Sequence, residues 1–123
     1  MRIVVVGVCA SGKTTLVKGL CALGIDAYNV AQEHSCVKKL WKKRNPDILV
    51  MLDATLDLIN RRRIVYWGEE RLLLQRERLR DAREHSDVYI QTDLLTQAEV
   101  IQTVIEYIRR NRYGNRYGSR FEK

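Results

Sequence analysis

The residues best placed to do chemistry stand near the start of the chain, where Gly7-Val8-Cys9-Ala10-Ser11-Gly12-Lys13-Thr14 has the spacing of a phosphate-binding loop. Each residue type there has a physical task. Glycines let the backbone fold back so that successive amide hydrogens point inward at phosphate oxygens. A helix starting at the far end adds the positive end of its dipole. Lys13 is expected to reach the β- and γ-phosphates of a nucleotide, and the Thr14 hydroxyl to be an inner ligand of Mg2+. Gly7, Cys9, Ala10, Ser11, Gly12 and Thr15 complete the expected nucleotide-binding loop. The plain alternative is a glycine-rich turn from strand to helix with an exposed lysine. Cys9 reads as a small loop residue; a thiol near a helix N-terminus can also be acidified, which makes redox sensitivity its alternative.

Two further places can contribute charge. Four apolar residues followed by Asp53 form the Walker B pattern, in which the carboxylate holds magnesium opposite the Thr14 ligand. Arg61, Arg62 and Arg63 can offer a guanidinium to a transferring phosphoryl group, where charge spreads over the equatorial oxygens. A helix turns about 100° per residue, so only one of the three can face a site, and Arg62 is the candidate. A basic helix C-terminus that favours the dipole is the competing reading.

These residues need elements to hold them. The β-branched run over 2–6 predicts a buried strand, and Leu16, Val17 and Leu20 predict a helix from Lys13 that stops at Gly24. Residues 25–30 read as a second strand. Ser35 can cap a short helix bearing Val37, Leu40 and Trp41, which Asn45-Pro46 breaks. Residues 47–52 give the strongest strand signal, then Thr55 caps a helix ending in the arginines, and Trp67-Gly68 marks a turn. A charged helix over 69–83 carries Leu72, Leu79 and Ala82 on one line, and 88–91 is the last strand. Thr96-Gln97-Ala98-Glu99 is a capping box with Leu95 and Val100 as its staple, and Ile101, Val104, Ile105 and Ile108 form the core stripe of the final helix. Short strands alternating with helices imply an α/β fold. We expect one three-layer domain, with a parallel sheet of about four strands flanked by helices and the phosphate-binding loop after the first strand.

Composition agrees with one such domain. The chain has 123 residues, 46% hydrophobic and 30% charged, well away from compositions that stay disordered. No apolar run is long enough to cross a bilayer, and the start does not read as a secretory signal. Cys9, Cys21 and Cys36 cannot all pair within one chain, so a reducing, cytoplasmic setting is expected. The net charge of +7 is concentrated in two segments. Lys38, Lys39, Lys42, Lys43 and Arg44 contribute +5, residues 109–123 another +5, and the remainder is −3. Any polyanion contact should therefore be local, unless both patches are ordinary solvated faces. After Arg110 three short Arg-aromatic repeats read as a flexible tail over 111–123, its glycines opposing further helix. Arginines on phosphates and tyrosines on unpaired bases make nucleic-acid contact its possible role.

The chain resembles a P-loop kinase of the shikimate kinase and adenylate kinase type over residues 2–24 and 47–108. The phosphate-binding loop, the strand ending in Leu52-Asp53 before the arginines, and the closing Ser86-to-Asp93 strand with its capped helix carry the likeness. The resemblance implies ATP and magnesium as ligands, and Thr92 and Asp93 in the loop bordering the adenine. It also places Glu33 where an acidic residue faces the phosphate acceptor, Arg78 near a recurrent arginine, and Asp53 as a support for the following helix rather than a metal ligand. A surface carboxylate is the other reading of Glu33, and His34 reads as a polar surface residue. The chain departs from the family between Val30 and Asp47, where only about a dozen residues remain to hold an acceptor. The expected function is transfer of the ATP γ-phosphate to a small-molecule acceptor by Lys13, Arg62 and Glu33. The alternative is a nucleotide switch or slow NTPase without such an acceptor, with nucleic acid as a partner through the tail and no membrane contact.

Overall fold

The computed structural model describes residues 1–62 and 68–117, the last six as helical backbone only. The expectations at Arg63, at Trp67 and beyond Tyr117 lie outside those residues. The chain runs β1 (Arg2–Gly7), α1 (Lys13–Ala22), β2 (Asp26–Asn29), two 3-10 turns (Gln32–His34 and Leu40–Arg44), β3 (Ile48–Asp53) and α2 (Leu56–Arg62), then α3 (Glu69–Arg78), α4 (Arg80–His85), β4 (Val88–Gln91) and α5 (Gln97–Tyr117). The four strands lie in the order β2-β1-β3-β4, all parallel.

Alternation along the strands builds a core on each side of the sheet. Ile3 and Val5 of β1 and Ile48, Val50 and Leu52 of β3 face Leu16 and Leu20 of α1 and Val100 and Val104 of α5. Val4, Val6, Leu49 and Met51 face Ile59, Leu72 and Ala82 of α2, α3 and α4, with Trp41 and Leu79. Every residue of β3 is buried, as expected of a strand inside a parallel sheet covered on both faces. The result is the three-layer α/β domain expected from the alternation. No helix among the described residues is long and apolar enough to cross a membrane.

Local signals account for most element ends. Thr96 Oγ1 accepts from the Glu99 amide at 3.1 Å and Glu99 Oε1 from the Thr96 amide at 2.8 Å, the reciprocal pair of a capping box. Thr55 Oγ1 accepts from the Leu58 amide at 3.3 Å and starts α2. Three expectations differ. The helix expected after Ser35 is replaced by the two 3-10 turns, because the Gln32 side chain takes up the Val37 carbonyl (2.7 Å) and the Trp41 amide (3.0 Å), groups a helix would need. The helix over 69–83 breaks at Leu79 into α3 and α4, where Gln32 also donates to the Arg78 carbonyl at 3.3 Å. The final helix does not end at Arg110 but continues to Tyr117. One internal glycine costs it only about 1 kcal/mol, while Asn, Arg and Tyr are all tolerated.

Candidate functional site

The first βα turn has little freedom. A Cβ on Gly7 would lie 2.4 Å from the Leu52 carbonyl oxygen and 2.8 Å from Ser11 Oγ, so only glycine lets β1 pass β3 here. Ala10 (φ 62) and Gly12 (φ 103) then adopt left-handed backbone, which wraps the loop back before α1 begins at Lys13. At Ala10 that conformation costs about 1 kcal/mol. The Lys13 ammonium is turned into this loop. It donates to the Gly7 carbonyl at 2.9 Å and the Val8 carbonyl at 3.1 Å, and pairs with Glu33 Oε2 at 2.6 Å. Lys13 is 8% exposed and Glu33 3%, so the pair is buried.

A cavity of about 720 Å³ opens beside the loop. It lies outside the carboxyl ends of the strands, where the chain leaves β1 for β2 on one side and β3 continues the sheet on the other, the crevice at which open α/β sheets bind ligands. The loop residues from Cys9 to Leu16 line it, together with Asn29, Ala31, Glu33, Arg62, Thr92, Leu95 and the start of α5 (Gln97, Val100). Thr14 is exposed to it and its hydroxyl accepts from Asn29 Nδ2 at 3.4 Å. Arg62 enters from α2: Nη1 donates to the Ala10 carbonyl at 2.9 Å and lies 3.4 Å from Thr92 Oγ1. Two buried oxygens here, Glu33 Oε1 and Ser11 Oγ, have no hydrogen-bond partner. An orphaned buried polar group costs about 1–3 kcal/mol, which a ligand that satisfies it recovers.

The structure thus brings Cys9, Ala10, Ser11, Gly12, Lys13, Thr14, Thr15, Glu33, Arg62 and Thr92 around one cavity. Glu33 is buried there and is not a surface carboxylate. Arg61 points elsewhere and pairs with Asp57 at 3.1 Å. Gly7 stays underneath, as the close approach to β3. Two expected residues, Asp53 and Asp93, are not among those that line the cavity. Asp53 Oδ1 accepts from the Ala54 amide (2.8 Å) and the Arg76 guanidinium (3.4 Å), and its Oδ2 from the Tyr89 hydroxyl (2.6 Å). Asp93 holds Thr55, the residue that caps α2, by accepting from its amide at 3.1 Å and its hydroxyl at 2.5 Å.

Electrostatics follow the same division. Burial pulls the Asp93 carboxyl up, but hydrogen bonds from Thr55 and Gln91 outweigh it and hold the group below the usual carboxylate range. Burial, and then the hydrogen bond to the Asp53 carboxylate, push the Tyr89 hydroxyl up to about 12. Thr92, 1% exposed, lies between the end of β3 and the loop, its one hydroxyl proton within reach of the Asp53 carbonyl (3.1 Å) and the Ser11 carbonyl (3.3 Å).

Several residues of the site are not apparent from the motif. Gln75 of α3 accepts the Cys9 amide at 2.9 Å and so fixes the loop from the opposite layer. Its signal is a polar residue in helical register with the apolar Leu72 and Leu79. Asn29 gives a weaker one, as the last residue of a strand whose carboxyl end opens on the loop. No family model matches this chain, and no curated protein does. The functional reading rests on these residues and their geometry.

Proposed function

We propose that this chain binds Mg-ATP in the loop over 7–14 and acts as a small P-loop kinase, passing the γ-phosphate to a small-molecule acceptor. The observation that carries the reading is the buried Lys13 ammonium, held by loop carbonyls at the mouth of the cavity. A triphosphate entering there exchanges Glu33 for phosphate oxygens as the partner of Lys13. Arg62 supplies a second cation, and Leu95 and Val100 an apolar wall for the base. Catalysis on such a site is positioning and charge stabilisation.

The oxygen donors carried by the lining residues fit magnesium, a hard cation that takes oxygen ligands. The Thr14 hydroxyl and the free Oε1 of Glu33 would hold it. Among the described residues no three His, Cys, Asp or Glu side chains converge on a metal, so phosphate oxygens and water would complete its shell. Bound there, magnesium neutralises charge on the phosphates. Cys9, Cys21 and Cys36 are free thiols, which supports a cytoplasmic setting.

Calorimetry with ATP and ADP, with and without magnesium, tests the reading on the natural chain and on Lys13→Ala. The variant should lose at least tenfold in triphosphate affinity; unchanged affinity overturns the proposal. One observation favours a second reading, a nucleotide switch or slow NTPase. Gln32 and Trp41 pin the segment between β2 and β3 onto the core instead of leaving it to enclose an acceptor. Phosphate transfer to a pool of small hydroxyl compounds, compared with release to water alone, separates the two.

A further inference from the structure

We infer that residues 38–44 form a binding surface for the phosphate backbone of nucleic acid, separate from the nucleotide cavity and independent of its reading. Lys38, Lys42, Lys43 and Arg44 are all exposed. Of the five cations in the segment, only Lys39 has a carboxylate partner among the described residues, Asp81 at 3.0 Å. Arg2 adds a sixth, its guanidinium 5.4 Å from the Tyr28 ring centre while that of Arg44 lies 4.8 Å from the same ring. Arg2 Nη1 also donates to the Arg44 carbonyl at 2.6 Å, although Arg2 keeps an exposed pairing with Asp26 at 3.6 Å.

The backbone carrying these charges is fixed. Gln32, fully buried, bonds the Val37 carbonyl and the Trp41 amide, and Trp41 Nε1 donates to Asp81 Oδ2 at 2.9 Å. Like charges are therefore held together on a rigid turn, so an incoming polyanion meets cations whose backbone ordering is already complete. Outside this segment and residues 109–123 the chain is net −3, so the attraction is local. The inward direction of Leu40 and Trp41, both packed on the core, favours a phosphate chain over a lipid surface. They leave the turn without the broad apolar face that interfacial binding uses. The Trp41 ring is 7% exposed and offers bases no stacking platform, so binding here is to phosphates and is insensitive to base sequence.

The test is fluorescence anisotropy of the full chain with a labelled single-stranded oligonucleotide, repeated over a range of KCl concentrations. Each phosphate contact contributes about 0.7 to the slope of log affinity against log salt. Lys38→Ala, Lys42→Ala and Lys43→Ala together should therefore flatten the slope by about 2 and leave ADP affinity unchanged. The matching Lys→Arg triple should keep the natural slope, which separates lost charge from lost folding. Oligonucleotides of different base sequence should bind alike. An unchanged slope in the Ala triple overturns the inference, as does absence of oligonucleotide binding by the natural chain. So does a result in which the same lysines govern binding to phosphatidylserine vesicles or polyglutamate while oligonucleotides are ignored.

Discussion

Two buried carboxylates stand at the carboxyl end of the sheet, Asp53 closing β3 and Glu33 just past β2, and their surroundings are opposite. Asp53 is saturated by a backbone amide, a guanidinium and a hydroxyl. Glu33 has the Lys13 ammonium on one oxygen and nothing on the other, and it borders a cavity. A buried carboxylate with donors on both oxygens ties elements together, here β3 to α3 and β4. One left half-occupied beside open space stores an interaction for a ligand. Under the proposed function, that contrast makes Glu33 rather than Asp53 the carboxylate to test as a magnesium ligand.

The strongest way to break the contrast is Lys13→Ala. It removes the cation and leaves Glu33 buried with only the exposed His34 ring 3.7 Å away. Losing one member of a buried pair costs about 3 kcal/mol, and urea unfolding should show a loss of that size. Adding Glu33→Gln removes the stranded charge, so the double variant should be more stable than Lys13→Ala alone. Strict additivity of the two changes would mean that the pair does not couple, and Glu33 would lose its special standing.

A smaller effect sharpens the division of labour. Asp53→Ala strands the Tyr89 hydroxyl and Arg76, and should cost about 2 kcal/mol while Mg-ATP affinity changes less than about twofold. Glu33→Gln also breaks the buried pair and should cost about 3 kcal/mol, since the Lys13 ammonium keeps only its two carbonyl acceptors, but here magnesium no longer strengthens ATP binding. Calorimetry beside urea unfolding reads both. Loss of the magnesium effect in Asp53→Ala and its retention in Glu33→Gln would exchange the two roles.

How much of this was legible in the residues depends on distance along the chain. Strands, caps and the loop are local signals, so Thr96 with Glu99, Thr55 and the glycine spacing located β1, α1, α2 and α5. The loop motif also announced Lys13 and Thr14 as neighbours of one cavity. What sequence pattern could not reveal was partnership across the sheet. An aspartate after four apolar residues looks the same whether it faces a metal or Arg76 and Tyr89, which lie 23 and 36 residues further on. Gln32 likewise looks like a surface residue until its side chain is found to organise the next nine residues and dissolve the helix expected there.

The smallest effects concern pH, and they report on Asp53 through its partner Tyr89, beside two other carboxylates, Asp93 and Asp81. Asp93 has its pKa lowered by folding, as has Asp81, where bonds from Lys39 and Trp41 outweigh burial. Their stabilisation is present above the unfolded carboxyl pKa of about 3.9 and is lost as pH falls through the lower folded value, so each Asp→Asn change should flatten the acid limb of a stability profile. Tyr89 has the reverse sign. Its hydroxyl is raised to about 12, so its stabilisation is present below the unfolded value of about 10 and lost as pH rises through 12. The first cause is burial, followed by the hydrogen bond to the Asp53 carboxylate and the repulsion a phenolate would meet there. Tyr89→Phe should therefore flatten the alkaline limb, and Asp53→Asn should move it to lower pH, because the Asp53 carboxylate raises the hydroxyl's pKa. Because Tyr89 is 39% exposed, solvent screens the repulsion and added salt should shrink the effect further. An alkaline limb that ignores both substitutions would mean that Asp53 is less fully engaged than its hydrogen bonds imply, and the contrast with Glu33 would narrow accordingly.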